Sequence, residues 1–156
     1  LQSDPPLIVV ILDADHADRS DLIHQLVEPI RAGRADLVLS DRTKNAEKQA
    51  LTLIQIFGNR LACKLIKLST GHKYQDMGPF RAIRWESLMS LNMTDPTWGW
   101  NVEMQMKAIQ KHLRVLEVPM PYRQRAGGVS KISGSVKSAA RAGARILWAV
   151  GHYHNG

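Results

Sequence analysis

Short unbroken apolar runs alternate along the chain with longer stretches in which apolar residues recur every three or four positions. Residues 7–12 (Leu-Ile-Val-Val-Ile-Leu) are the first run and lead straight into Asp13. A run this short and continuous predicts a strand buried on both faces, as in a parallel sheet. Over residues 20–32, Leu22, Ile23, Leu26, Val27 and Ile30 recur at helical spacing, with Ser20 as N-cap and Gly33 as stop. Residues 36–40 predict a second buried strand, and strand, helix and strand together make a βαβ unit. A polar loop over residues 41–48, carrying Arg42, Lys44 and Lys48, then lies at the same sheet edge as Asp13.

The second half continues the alternation. Residues 49–69 predict a long helix with Leu51, Ile54, Phe57, Leu61, Leu65 and Leu68 on its apolar side, ended by Thr70 and Gly71. A turn-rich stretch at 75–79 leads to a strand at 80–83 and a brief helix at 85–91. A helix at 101–112 turns Val102, Met106 and Ile109 to one side. Residues 113–122 are extended, near a sheet edge because of Pro119. A Gly-rich basic loop spans 124–134, and a last helix 135–150. The predicted fold is a single α/β domain in three layers around a mostly parallel, Rossmann-like central sheet.

Charge sharpens this picture. The net charge is +7, and from Arg114 onward seven basic residues face only Glu117. So local a basic surface points to a phosphate-bearing ligand, an anionic membrane or nucleic acid, with a solvated face as the plain alternative. Nucleic acid is not expected, because basic residues are not interleaved with stacking aromatics. One cysteine, Cys63, excludes an internal disulfide. No apolar run reaches membrane-spanning length, and no secretory signal is read at the N-terminus.

The first strand points to chemistry. Ligands of open α/β sheets bind beyond the carboxyl ends of strands. Residues two apart on an extended chain point the same way. Asp13 and Asp15 therefore suit a hard cation, Mg²⁺ or Mn²⁺, which can hold a diphosphate and neutralise charge on a leaving phosphate. The same residues also fit a helix N-cap. Asp76 reads either as a functional carboxylate or as a turn residue bonding its own backbone. Glu103 reads either as functional or as an exposed helix residue.

Four motifs in order are similar to glycosyltransferase family 2, of the GT-A fold, and most resemble the polyprenyl- and dolichyl-phosphate sugar synthases. They are Leu12-Asp13-Ala14-Asp15, Gln75-Asp76-Met77-Gly78-Pro79-Phe80-Arg81-Ala82, Trp98-Gly99-Trp100-Asn101-Val102-Glu103-Met104, and Tyr122-Arg123-Gln124-Arg125-Ala126-Gly127-Gly128-Val129-Ser130-Lys131. The resemblance implies an inverting enzyme that moves a sugar from a nucleotide-diphosphate sugar to an acceptor, with a polyprenyl phosphate expected. It implies metal binding at Asp13 and Asp15, catalytic roles for Asp76 and Glu103, and donor-diphosphate or acceptor-phosphate binding by Arg123, Arg125, Ser130 and Lys131. A carboxylate would take the proton of a hydroxyl acceptor, whereas a phosphate acceptor needs no strong base.

Two departures stand out. The family often carries Gln two residues after the second Asp, and here that residue is Ala17. The family also places its nucleoside site on βα units ahead of the Asp-x-Asp strand. This chain is therefore expected to match the C-terminal two-thirds of a catalytic domain, to lack the N-terminal nucleotide-binding portion, to be inactive alone and to self-associate. Lys137, Arg141 and Arg145, spaced by four, form one stripe expected to face an anionic membrane. The expected location is cytoplasmic, peripheral at the cytoplasmic membrane face. The rival readings are a haloacid-dehalogenase-type phosphatase, which shares the strand into Asp-x-Asp but needs a late acidic motif absent here, and a basic module binding nucleic acid or a membrane surface.

Overall fold

The structure is a computed structural model, described here for residues 6–96, 99–124, 143, 144, 147, 148 and 150–152. The elements run β1 (Ile8–Ile11), a 3-10 turn (Ser20–Leu22), α1 (Ile23–Arg31), β2 (Leu37–Asp41), α2 (Leu53–Thr70), β3 (Arg81–Arg84), α3 (Trp85–Leu91), α4 (Trp100–Gln110) and β4 (Val115–Pro119). The sheet order is β1-β3-β2-β4. β2 and β4 pair in parallel, and β3 runs antiparallel to both β1 and β2. Three of the four strands thus share one direction, as the sequence predicts.

The first departure is β3. β1 and β2 are parallel but not neighbours, because β3 lies between them. Residues 71–80 carry the chain back to the end where β1 and β2 finish. The strand that starts there can only run against them. Its register, Ile11 opposite Arg81 and Leu39 opposite Arg81, sets the start of β3 beside the ends of β1 and β2.

Alternation along the strands makes three layers. Val38, Ala82, Ile8 and Val10 face α1, where Leu26 and Ile30 are buried. Leu37, Leu39 and Ile83 face the other way, onto Ile66 of α2, Leu91 of α3, and Met104 and Met106 of α4. β4 is an edge strand and ends at Pro119, which suits a residue with no ladder N–H to give.

The second departure is α2. Thr52 caps it with a reciprocal capping box to Gln55, and Gly71 ends it in the left-handed region at φ 77°. Its buried residues are Ala62, Cys63 and Ile66. Ile54, Phe57 and Leu68, predicted for the core side, point to solvent, and Leu61 and Leu65 are only half-buried. Periodicity shows which residues share a face; it does not show which face meets the sheet. Among the described residues, no helix is long and apolar enough to cross a membrane.

Candidate active site

Three loops meet at the sheet end where β1 and β2 finish and β3 begins. The first follows β1. Asp13 is exposed, Asp15 is half-buried and accepts the Ala17 amide on Oδ1 at 3.0 Å, and His16 takes a left-handed φ of 60° that turns the chain back. Asp18, next in this loop, is buried, and its Oδ2 meets no hydrogen-bond donor. Burial pushes its carboxyl up to about 6 against the pull of Arg42, with Asp13 and Asp15 adding to the rise.

The second loop follows β2 and supplies Arg42. Its Nε donates to Asp76 Oδ2 at 2.7 Å, its Nη2 to Asp76 Oδ1 at 2.9 Å, and its backbone amide to Oδ2 at 3.0 Å. This is the two-pronged geometry that a guanidinium and a carboxylate share. The guanidinium also lies 4.9 Å from the centroid of the Tyr122 ring. Asp76 is almost fully buried. Burial alone would raise its pKa, but the Arg42 guanidinium outweighs that and holds it below the usual carboxylate range.

The third loop, residues 75–80, is fixed from all sides. Glu117 of β4 accepts the amides of Gln75 and Asp76 at 2.9 and 3.1 Å. Gln105 of α4 donates to the Asp76 carbonyl at 3.1 Å, and Asn59 of α2 accepts the Met77 amide at 2.8 Å. Arg81 turns inward with no solvent exposure. It donates to the carbonyls of Pro79 and Gly78 and reaches Met104 Sδ at 3.5 Å, and burial pushes its pKa down to about 10. Gly78 is required by close approach: a Cβ there would lie 2.8 Å from Arg42 Nε and 3.1 Å from Asp76 Oδ2.

The fourth motif begins at the same place. Tyr122 is buried and makes isolated bridges to Asp18 on one side and Ala46 on the other. The next amide, Arg123, donates to the Ala17 carbonyl at 2.9 Å, and the Arg123 side chain is exposed. Residues 122–124 therefore thread between the loop after β1 and the loop after β2. Arg125, Ser130, Lys131, Lys137, Arg141 and Arg145 lie outside the described residues.

Glu103 stands apart from this cluster and is fully buried on α4. Its Oε1 accepts the amide and hydroxyl of Thr94, each at 2.8 Å, and Lys107 Nζ at 2.7 Å; its Oε2 accepts the Asp95 amide at 2.8 Å. Burial opposes ionisation, but these donors, Lys107 foremost, hold the carboxyl at about 2. An open cavity of about 400 Å³, lined by Met93, Thr94, Asp95, Pro96 and Trp100, lies against this segment.

Among the described residues, no three His, Cys, Asp or Glu side chains converge as a metal-ligand set. Of the three acidic residues in the loop after β1, Asp18 is buried, which leaves Asp13, exposed, and Asp15, half-buried. Mg²⁺ is commonly held by one or two carboxylates, with waters and substrate phosphates completing its shell. Asp13 and Asp15 fit a cation that arrives with a diphosphate, not a closed protein cage.

Sequence reading did not single out Arg42, Glu117, Gln105 or Asn59 as site residues. Only Arg42 left a signal, as a basic residue in a loop at the Asp13 edge. Its partner lies 34 positions away, beyond any local pattern.

No family model matches the chain. Similar proteins do. An uncharacterized glycosyltransferase of Mycobacterium tuberculosis is 30% identical over 134 residues, covering 85% of this chain and 60% of that protein. A dolichyl-phosphate hexose transferase of Haloferax volcanii is 31% identical over 122 residues, covering 77% of this chain and 52% of that protein. The chain thus spans about half to three-fifths of the length of these relatives. Among solved structures, the glucosyl-3-phosphoglycerate synthase of Mycobacterium tuberculosis, in complex with phosphoglyceric acid, superposes with a TM-score of 0.68. It is 20% identical, and the match covers 95% of this chain and 51% of that one. That likeness is one of fold. In sequence this chain is thus similar to proteins named glycosyltransferases, and its fold is shared with the glucosyl-3-phosphoglycerate synthase.

Proposed function

We propose that the protein is an inverting, family 2 glycosyltransferase that moves a sugar from a nucleotide-diphosphate sugar onto a polyprenyl phosphate. The observation that carries this reading is the Arg42–Asp76 pair. A hydroxyl acceptor needs a carboxylate able to take its proton. Both Asp76 oxygens are engaged by Arg42, and the carboxyl sits below its usual range. Such a group is a poor base. A phosphate acceptor is already anionic and needs none. The Haloferax relative is named for an acceptor of that kind, a dolichyl phosphate.

In this reading Asp76 acts by fixing Arg42 at the sheet end, where its charge faces the phosphates. Glu103, whose oxygens are all engaged, shapes the segment around Thr94 and Asp95 rather than moving a proton. Asp13 and Asp15 hold Mg²⁺ or Mn²⁺, which when bound offsets charge on the departing nucleoside diphosphate. Arg123, Arg125, Ser130 and Lys131 take donor or acceptor phosphate, the arginines through planar forks and the lysine as a point charge. Direct displacement at the anomeric carbon inverts it. The phosphatase reading has no support among the relatives.

The test uses the full-length protein with labelled nucleotide sugars and either a polyprenyl phosphate or the matching polyprenol. Label should pass to the phosphate, not the alcohol, with inverted anomeric configuration. Asp15→Asn should lower turnover most at limiting Mn²⁺. Equal use of the alcohol, or turnover in Asp15→Asn equal to the parent at limiting metal, would sink the corresponding part of the reading.

A further inference from the structure

α2 is built inside out. Its sheet side carries small or modest residues, Ala62, Cys63 and Ile66. Its large apolar residues stand in solvent: Leu53 is 84% exposed, Phe57 70% and Leu68 74%, with Ile54 at 41%. At 100° per residue, Leu53, Phe57, Leu68 and Ile54 fall within an arc of about 100° on the helix. Lys67, Arg60 and Lys64, all exposed, fill the adjoining strip and overlap its edge. No acidic residue occurs anywhere in Leu53–Thr70. An apolar strip flanked on one side by cations, on a helix with no acidic residue, is the pattern of a helix lying in a membrane interface.

We infer that the outward face of α2 docks the protein on an anionic lipid surface, with Leu53, Phe57 and Leu68 entering the headgroup boundary and Arg60, Lys64 and Lys67 meeting lipid phosphates. Charge decides between occupants. A second copy seated on the same face would bring Arg60, Lys64 and Lys67 against their own counterparts, which like-charge repulsion opposes. An anionic bilayer complements both strips at once. The inference rests on the lipid-phosphate reading only for its purpose, which is to hold the acceptor's headgroup plane near the protein; the docking itself needs no turnover.

The experiment is co-sedimentation of the full-length protein with vesicles of phosphatidylcholine alone and of phosphatidylcholine with phosphatidylglycerol. Binding should require the anionic lipid and fall as salt is raised. Replacing Arg60, Lys64 and Lys67 by Gln should weaken it about fivefold per charge. Leu53→Ser with Phe57→Ser should weaken it by about tenfold or more, and circular dichroism checks that these exposed substitutions leave the fold intact. Absence of vesicle binding, or binding unchanged by both sets, overturns the inference. So does resistance of Leu53, Phe57 and Leu68 to hydroxyl-radical footprinting in the lipid-free protein, which would mean that another part of the chain covers the face. A dimer dispersed by Leu53→Ser with Phe57→Ser, with vesicle binding unchanged, would assign the face to a second copy instead. Sugar transfer to a short, water-soluble prenyl phosphate should survive both sets. Loss of vesicle binding with that transfer intact, or the reverse, separates the docking from the proposed reaction.

Discussion

Arg42 and Asp76 meet at the end of the sheet in a two-pronged ion pair, with Nε and Nη2 at 2.7 and 2.9 Å from the two carboxylate oxygens. Their side chains are 13% and 2% exposed. The pair joins the loop after β2 to the turn before β3, and it decides how Asp76 is read.

Removing one partner of a buried pair strands the other's charge, so Arg42→Ala should destabilise the protein by about 3–5 kcal/mol. Arg42→Lys keeps the charge but loses the fork and should recover only part of this. The pH dependence has a definite sign. The folded-state pKa of Asp76 is depressed. Its contribution is therefore fully present above the unfolded value near 3.9 and is lost as pH falls through the lower folded value. Denaturation midpoints measured downward from pH 7 should fall less steeply at acid pH in Arg42→Ala than in the parent.

Gly78→Ala tests the clamp without touching a charge. The new Cβ would sit 2.8 Å from Arg42 Nε. Arg42 cannot simply swing away, because Asp76 and the Tyr122 ring hold it. The expected stability loss is modest for an overpacked site, about 1–3 kcal/mol. Turnover in the full-length enzyme should drop further than stability does. Intact turnover would mean that Arg42 need not keep this position.

Much of this arrangement is legible in the chain, and the illegible part has a common cause. Residues 7–12 and 36–40 are short runs with no helical period, so the strands and their ends can be placed. Residues 75–79 are rich in turn formers, which sets Asp76 at the head of β3. What local pattern does not carry is pairing across distance. Arg42 finds Asp76, and Glu117 and Gln105 hold its backbone, only once β3 has entered between β1 and β2. The outward turn of α2 is hidden for the same reason. Its period is real, but the sheet accepted the side with Ala62, Cys63 and Ile66.

Glu103 separates a catalytic carboxylate from a positioning one. Glu103→Gln places amide hydrogens against Lys107 or against the Thr94 and Asp95 donors, and should cost about 2–4 kcal/mol. Lys107→Met in the same chain should be less than additive with it, because the orphaned ammonium is gone. Below its melting temperature the variant should keep most of its turnover. Loss of a general base would instead cost about 10²–10⁴-fold. A fall of that size in a protein with unchanged melting temperature would return Glu103 to the chemistry.

Asp18 gives the opposite pH signature from Asp76. Its carboxyl is raised to about 6, chiefly by burial. Between an unfolded value near 3.9 and about 6, the folded protein keeps a proton that the unfolded chain has released. Stability from this group therefore falls as pH rises through that window, by about 3 kcal/mol in all. The cost is fully present above about pH 6. Asp18→Asn cannot ionise, so it should stabilise the protein clearly at pH 7.5 and barely at pH 4. Glu117 is also raised by burial, but it titrates in both proteins and cancels in their difference. The measurement is the gap between parent and variant denaturation midpoints across pH 4–7.5. A gap that stays constant over that range would show that Asp18 folds with its charge already compensated. A gap that opens between about pH 4 and pH 6 and narrows when Mn²⁺ is added would place a cation near Asp18, since a nearby positive charge favours the ionised carboxylate.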